Sequence, residues 1–190
     1  MNRLKLRIYA VSTITLSMLI IGCATTQTRP IEQLTSEATV QSSRKVDKTL
    51  LILPVTGGEK YEQSIWSIRP KTPKINTEEF LLLLLGGLQK SGLFREVSTR
   101  ATSDYALRAE VIFQDITMPG MTNTLMLLVH YELMDLENDR IIWKENIYTQ
   151  SELSSKDIFV GEVRVVRLLE KGLVTNMNKL IQRIEQRFSN

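Results

Sequence analysis

Over Asp104–Asp115 the residues Tyr105, Leu107, Ala109, Val111 and Phe113 occupy every second position, with Arg108, Glu110 and Gln114 among those between them. That period sends one set of side chains to a buried sheet face and the other to water, and it predicts a β-strand. The alternation recurs over Thr124–Leu136, with Leu125, Leu127, Val129, Tyr131 and Leu133 inward, and over Arg140–Gln150, with Ile141, Trp143 and Ile147 inward. Turns are expected at Thr117–Asn123, which holds Pro119-Gly120, and at Glu137-Asn138-Asp139. Thr49–Val55 is a continuous apolar run closed by Pro54, the pattern of a strand buried on both faces, and Leu93–Ser98 reads as a shorter one. Thr56–Ile75 is irregular, with Tyr61–Ile68 as a hairpin arm or edge strand within it.

Two stretches have helical period instead. Asn76 with Glu79 three residues on forms a start signal, the body runs from Glu78 to Lys90, and Ser91-Gly92 is a stop. Its middle, Phe80–Leu88, is apolar all round and requires cover on more than one side. Ser151–Val160 reads as polar loop. The last helix, Glu162–Phe188, carries the stripe Val166, Leu169, Leu173, Met177, Leu180, Ile184 and Phe188. The order β-α-β-β-β-β-α predicts an α/β (α+β) two-layer sandwich, a mostly antiparallel sheet of four or five strands with two helices on one face.

The first 22 residues do not belong to that pattern. Arg3, Lys5 and Arg7 form a basic head, Ile8–Ile21 an apolar run, and small residues follow, which together describe a secretory signal. The run is short of the about 20 residues that a membrane span needs. The tetrad Ile20-Ile21-Gly22-Cys23 resembles the lipobox of bacterial lipoproteins, in which signal peptidase II cuts before a lipid-modified cysteine. The resemblance implies a diacylglyceryl group and an N-acyl chain on Cys23. With Ala24 where an Asp would favour retention in the inner membrane, it implies the outer membrane, periplasmic face. Residues 24–48 are rich in Thr, Gln, Ser and Glu and read as a flexible tether, with an average reach of roughly 25–30 Å. Residues 49–190 then form one periplasmic domain.

Removing the signal alters the charge argument. The formal net charge of +3 equals the three basic residues of that segment, so the remaining chain carries 21 basic against 21 acidic side chains. A nucleic-acid footprint needs a surplus of clustered Lys and Arg, and none remains. Cys23 is the single cysteine, so its acylation leaves no thiol for a disulfide or a cysteine metal site.

His130, the single histidine, lies on the even-numbered face of its strand and reads as a solvated or partner-facing sheet residue. Asp135–Asp139 alternates carboxylates like a calcium loop, but Arg140 and Asn146 stand where that loop needs Gly and Glu, so it reads as a turn. Gly57-Gly58-Glu59-Lys60 lacks the spacing of a phosphate loop. No nucleophile–base pair can be nominated, and neither a metal nor a further cofactor is expected. Two binding surfaces remain. In the Tyr61–Lys74 loop, Tyr61, Ile65, Trp66 and Arg69 are of the kinds that anchor protein interfaces; the alternative is that Trp66 caps the core edge. The Leu81–Leu88 helix is either core or a groove for a partner helix or acyl chain.

Leu50-Leu51-Ile52-Leu53-Pro54, with Leu88-Gln89-Lys90-Ser91-Gly92-Leu93-Phe94-Arg95-Glu96-Val97 after it, resembles a strand–helix run of Gram-negative envelope proteins. Those proteins include the periplasmic α/β domains of penicillin-binding-protein activator, curli-secretion-type and ABC-transport auxiliary lipoproteins. This chain departs from them in its Tyr61–Lys74 insertion and in Asn138-Asp139 at the turn. The expectation is a non-enzymatic adaptor that binds an envelope protein, with carriage of a lipid or other amphiphile as the alternative.

Overall fold

The computed structural model describes residues 29–58, 75–100, 102–117 and 121–189. Along them run α1 (Ile31–Ala38), β1 (Val46–Ile52), β2 (Thr56–Gly57), α2 (Thr77–Ser91), β3 (Phe94–Ser98), β4 (Tyr105–Thr117), β5 (Thr122–Asp135), β6 (Arg140–Ser154) and α3 (Gly161–Arg187). One sheet has the order β3-β1-β4-β5-β6, with the two-residue β2 paired to β4. β1 is parallel to both its neighbours, whereas β4, β5 and β6 form a long antiparallel meander. α2 packs over β1 and β3, α3 over β5 and β6, and α1 against both helices. The α+β sandwich expected from the pattern is the observed fold.

The stop and start signals act as expected. Asn76 Oδ1 accepts hydrogen bonds from the backbone N–H groups of Glu78 and Glu79, and Gly92 closes α2 in the left-handed region at φ 68°. Along β5 the odd positions 123–133 are buried and the even ones half-buried, as a two-sided strand requires.

Six expectations are corrected. Part of the supposed tether is the helix α1, and β1 begins at Val46. β1 is also not buried on both faces, since Leu50 and Ile52 are buried while Leu51 is only half-buried. Phe113 is not on the core face: the pairing skips Ile112, so Val111 opposes Val129 but Phe113 opposes Leu128 on the outer face. One extra residue inverts the parity of everything beyond it. A second irregularity passes from Leu133↔Trp143 to Met134↔Ile141 and leaves Ile141 half-exposed. Finally, β6 runs through Ser154, and the first half of α3 buries Val165, Leu168 and Gly172 in preference to Val166, Leu169 and Leu173.

The seam between α3 and the meander explains that rotation. A Cβ on Gly172 would collide with the side chain of Leu125, so glycine lets the helix press onto β5. One turn on, Asn176 is fully buried and tied in three directions. Its Oδ1 accepts from Tyr131 Oη at 2.7 Å, and its Nδ2 donates to Ile147 O and Thr149 Oγ1, each at 3.0 Å. Burial pushes the Tyr131 hydroxyl well above its ordinary pKa, so it stays a donor.

β6 is an edge strand. Ser155 N–H bonds Met121 O across to β5, which directs the backbone groups of Tyr148 and Glu152 to the free edge. Their carbonyls accept from α3: Lys179 Nζ reaches Tyr148 O at 2.8 Å and Lys171 Nζ reaches Glu152 O at 3.0 Å.

At the other end of the sheet, Asp104 joins β4 to β1. Its Oδ2 accepts from the Thr49 N–H at 2.7 Å and the Thr49 hydroxyl at 2.9 Å, and Lys48 Nζ stands 3.2 Å from Oδ1. Those bonds, the Thr49 backbone first, hold its carboxyl at about 2 against an ordinary 3.8.

Asn176→Ala leaves the Tyr131 hydroxyl buried without its acceptor and costs about 1–3 kcal/mol in urea unfolding. Combined with Tyr131→Phe the losses are less than additive, by about 0.5 kcal/mol or more; strict additivity would disprove the bridge. The folded pKa of Asp104 lies below the unfolded one, so its contribution is present above about 3.8 and lost as pH falls toward about 2. In Asp104→Asn the urea midpoint therefore falls less than the parent's over that interval.

Candidate functional site

The polar segment before β1 does not hang free of the domain; from Arg29 onward it is laid along α3. Arg29 bonds Glu170 through its backbone N–H and its Nε, each at 2.9 Å. Val40 N–H donates to Asn178 Oδ1 at 3.1 Å. Glu185 Oε1 accepts the N–H groups of Ser43 and Arg44 and the Ser43 hydroxyl at 2.6 Å. These partners lie in rising order on α3, so residues 29–44 form a strap running parallel to it. Those bonds hold the Glu185 carboxyl below its ordinary pKa, the Ser43 hydroxyl contributing most.

α1 is the middle of this strap. Leu34 and Thr35 are buried, and Thr35 Cγ2 sits where a Cβ on Gly86 of α2 would lie only 3.0 Å away. The Leu-rich helix α2 is thereby covered on a further side. Phe80, Leu83, Leu84 and Leu88 are core, which assigns this helix to packing; Leu82 is half-exposed.

Between the strap, α3 and the end of β6 lies an open groove of about 700 Å³. Leu34, Leu153, Ile158 and Val174 supply its apolar lining, and Arg29, Arg167 and Lys171 its cations. Glu170 is the buried anion among them, its side chain 7% exposed, and it also accepts Arg167 Nη1 at 2.8 Å. The cleft is therefore open and of mixed lining, with Arg29 and Arg167 both paired to Glu170 and Lys171 donating to Glu152 O.

The other chemistry sits on the sheet's outer face. His130 Nδ1 lies 2.6 Å from Asn146 Oδ1 and Nε2 lies 3.4 Å from Glu132 Oε1, while Glu132 pairs with Arg108 at 3.0 Å. This is a cross-strand polar ladder of β4, β5 and β6. The Asp135–Asp139 stretch is the turn that was expected: Asp135 Oδ1 accepts the N–H groups of Glu137 and Asn138. Among the described residues no three His, Cys, Asp or Glu side chains gather as a metal site, and no helix is long and apolar enough to cross a membrane.

The residues singled out in the sequence, Cys23 for lipidation and Tyr61, Ile65, Trp66 and Arg69 for a partner, lie outside the described residues. The flanks of the Tyr61–Lys74 stretch are fixed on β4, with Gly58 N–H on Val111 O and Ile75 N–H on Gln114 Oε1.

With this geometry the chain can be set beside known structures. Its fold is shared. A Xanthomonas campestris protein of the DUF330 family superposes with a TM-score of 0.63 at 14% identity, covering 80% of this chain and 92% of that one. A hypothetical protein from Chlamydia trachomatis gives 0.51 at 13% identity, over 76% and 100%. A minor lipoprotein from Acinetobacter baumannii is a looser match, 0.42 at 14% identity over 75% and 92%. No family model and no curated protein sequence matches the chain.

The groove was not foreseen, because its walls come from segments more than a hundred residues apart. Only the all-round apolarity of α2 signalled that another element must cover it. Glu170→Ala removes the anion that fixes the strap's start, so amide hydrogen exchange over 31–38 accelerates by roughly ten- to a hundredfold. Unchanged exchange there would show that packing of Leu34 and Thr35 alone retains α1.

Proposed function

We propose that this chain is a non-enzymatic, lipid-anchored accessory protein on the periplasmic face of the outer membrane, binding a protein partner in envelope assembly or transport. The observation that carries the reading is the lipobox-like Ile20-Ile21-Gly22-Cys23 after a basic head and a short apolar run. A diacylglyceryl group and an N-acyl chain on Cys23 anchor stably where a single chain does not, each buried methylene adding about 0.8 kcal/mol. The non-enzymatic part is supported by the side-chain inventory: the single histidine is engaged by an asparagine and a glutamate, and the single thiol is given to lipid.

Tyr61, Ile65, Trp66 and Arg69 are the proposed partner-binding residues. The support is their chemistry, aromatic and Arg anchors on a loop whose two flanks are pinned to β4. The second reading, an amphiphile carrier, has its support in the groove beside the strap, through the apolar lining of Leu34, Leu153, Ile158 and Val174.

Radiolabelled palmitate enters the wild-type chain but not Cys23→Ala, and the labelled form fractionates with outer membranes. A photo-crosslinking amino acid at position 66 in the same cells yields a discrete adduct with one protein. Unlabelled protein would sink the anchor. Acylated protein without an adduct, purifying with bound lipid detected by mass spectrometry, would move the assignment to the carrier reading.

A further inference from the structure

One end of the molecule holds large apolar side chains out in water. Phe159 is 88% exposed, Met121 73% and Val160 55%. They belong to two different connections, the loop between β6 and α3 and the residue just before β5, yet a single side chain fixes both. Arg164 is buried in the first turn of α3. Its Nε donates to Ile158 O at 2.9 Å, Nη1 to Met121 O at 3.0 Å and Nη2 to Phe159 O at 3.1 Å. Its own N–H donates to Val160 O at 2.9 Å. A guanidinium clamp on the carbonyls of residues 121, 158 and 159 fixes the backbone of this tip while its large apolar side chains stay in water.

From these observations we infer that the tip is a membrane-contact site, with Phe159, Val160 and Met121 entering the lipid leaflet that carries the anchor. The inference rests on the acylation of Cys23 proposed above and adds an orientation to it. The length of chain bears on which end faces the bilayer. Arg29 is fixed to Glu170, and five residues lie between it and Cys23, six steps that span at most about 20–22 Å. α3 is 27 residues, about 40 Å. Glu170 lies about 13 Å along the axis from the tip end of α3 but about 25 Å from its other end. The acylated cysteine therefore reaches the bilayer with slack when the tip is against it, and only at about full extension when the molecule stands on its opposite end. Ile158, next to Phe159, lines the same groove as Arg29, so the anchor's exit and the tip are neighbours. Phe, Val and Met are also suited to a leaflet that takes apolar faces about 5–10 Å deep.

The test uses the full acylated chain reconstituted in protein-free vesicles of phosphatidylethanolamine and phosphatidylglycerol. Cys23 is the single cysteine, so once it is a thioether an introduced thiol is labelled alone. An NBD fluorophore on Phe159→Cys shifts to the blue, brightens several-fold and is quenched by nitroxide-bearing lipids. The same probe on Glu137→Cys, in the hairpin turn at the far end of β5, does neither. If the probe at 159 behaves as in water while palmitate labelling confirms the acyl group, the membrane-contact site is overturned and the anchor stands. If both thiols take the label and no palmitate is found, the anchor itself fails and the orientation goes with it.

Discussion

The contact on which the fold turns is the one Asn176 makes between helix and sheet. It is a polar residue at the centre of an apolar seam, and each of its groups has a single solution: the carboxamide oxygen takes the Tyr131 hydroxyl, the nitrogen the Ile147 carbonyl and the Thr149 hydroxyl. Sliding α3 by one turn or rotating it by one residue would leave several buried polar groups unmatched, each costing about 1–3 kcal/mol. Leucines alone would tolerate such a shift. Gly172 on Leu125 and Gly87 of α2 on Met177 then let the helices settle at that register without a gap.

Because α3 is held in one place, it can act as a template for what precedes β1. Glu170, Asn178 and Glu185 present acceptors at successive heights, and the strap's backbone N–H groups occupy them. The strap in return covers the side of α2 that neither sheet nor α3 reaches. Packing and hydrogen bonding thus reinforce each other across about 140 residues of sequence, which is why a segment of such polar composition is ordered at all.

Much of this was legible in the chain. Strands β4, β5 and β6 were readable from period two, and α2 from its cap and stop, because those signals are local. What failed was non-local. Nothing about Ile112 marks it as the residue that β5 skips, yet that skip moves Phe113 to the outer face. Residues 29–44 read as part of a tether because their partners are side chains of a distant helix. The counter-evidence was present in Phe80–Leu88, a helix too apolar for a two-layer arrangement with only one neighbour. The groove was equally hidden, since its lining is assembled from the strap, β6 and α3.

The lysines that grip the outward carbonyls of β6 bear on how copies behave when crowded. An exposed strand edge invites another chain to continue the sheet, the more so as copies are concentrated. Here Lys171 and Lys179 already occupy Glu152 O and Tyr148 O, and they place positive charge where an incoming strand would have to lie. Ammonium groups thereby stand in for a missing neighbour, and crowded copies are guarded against zipping into ribbons through that edge.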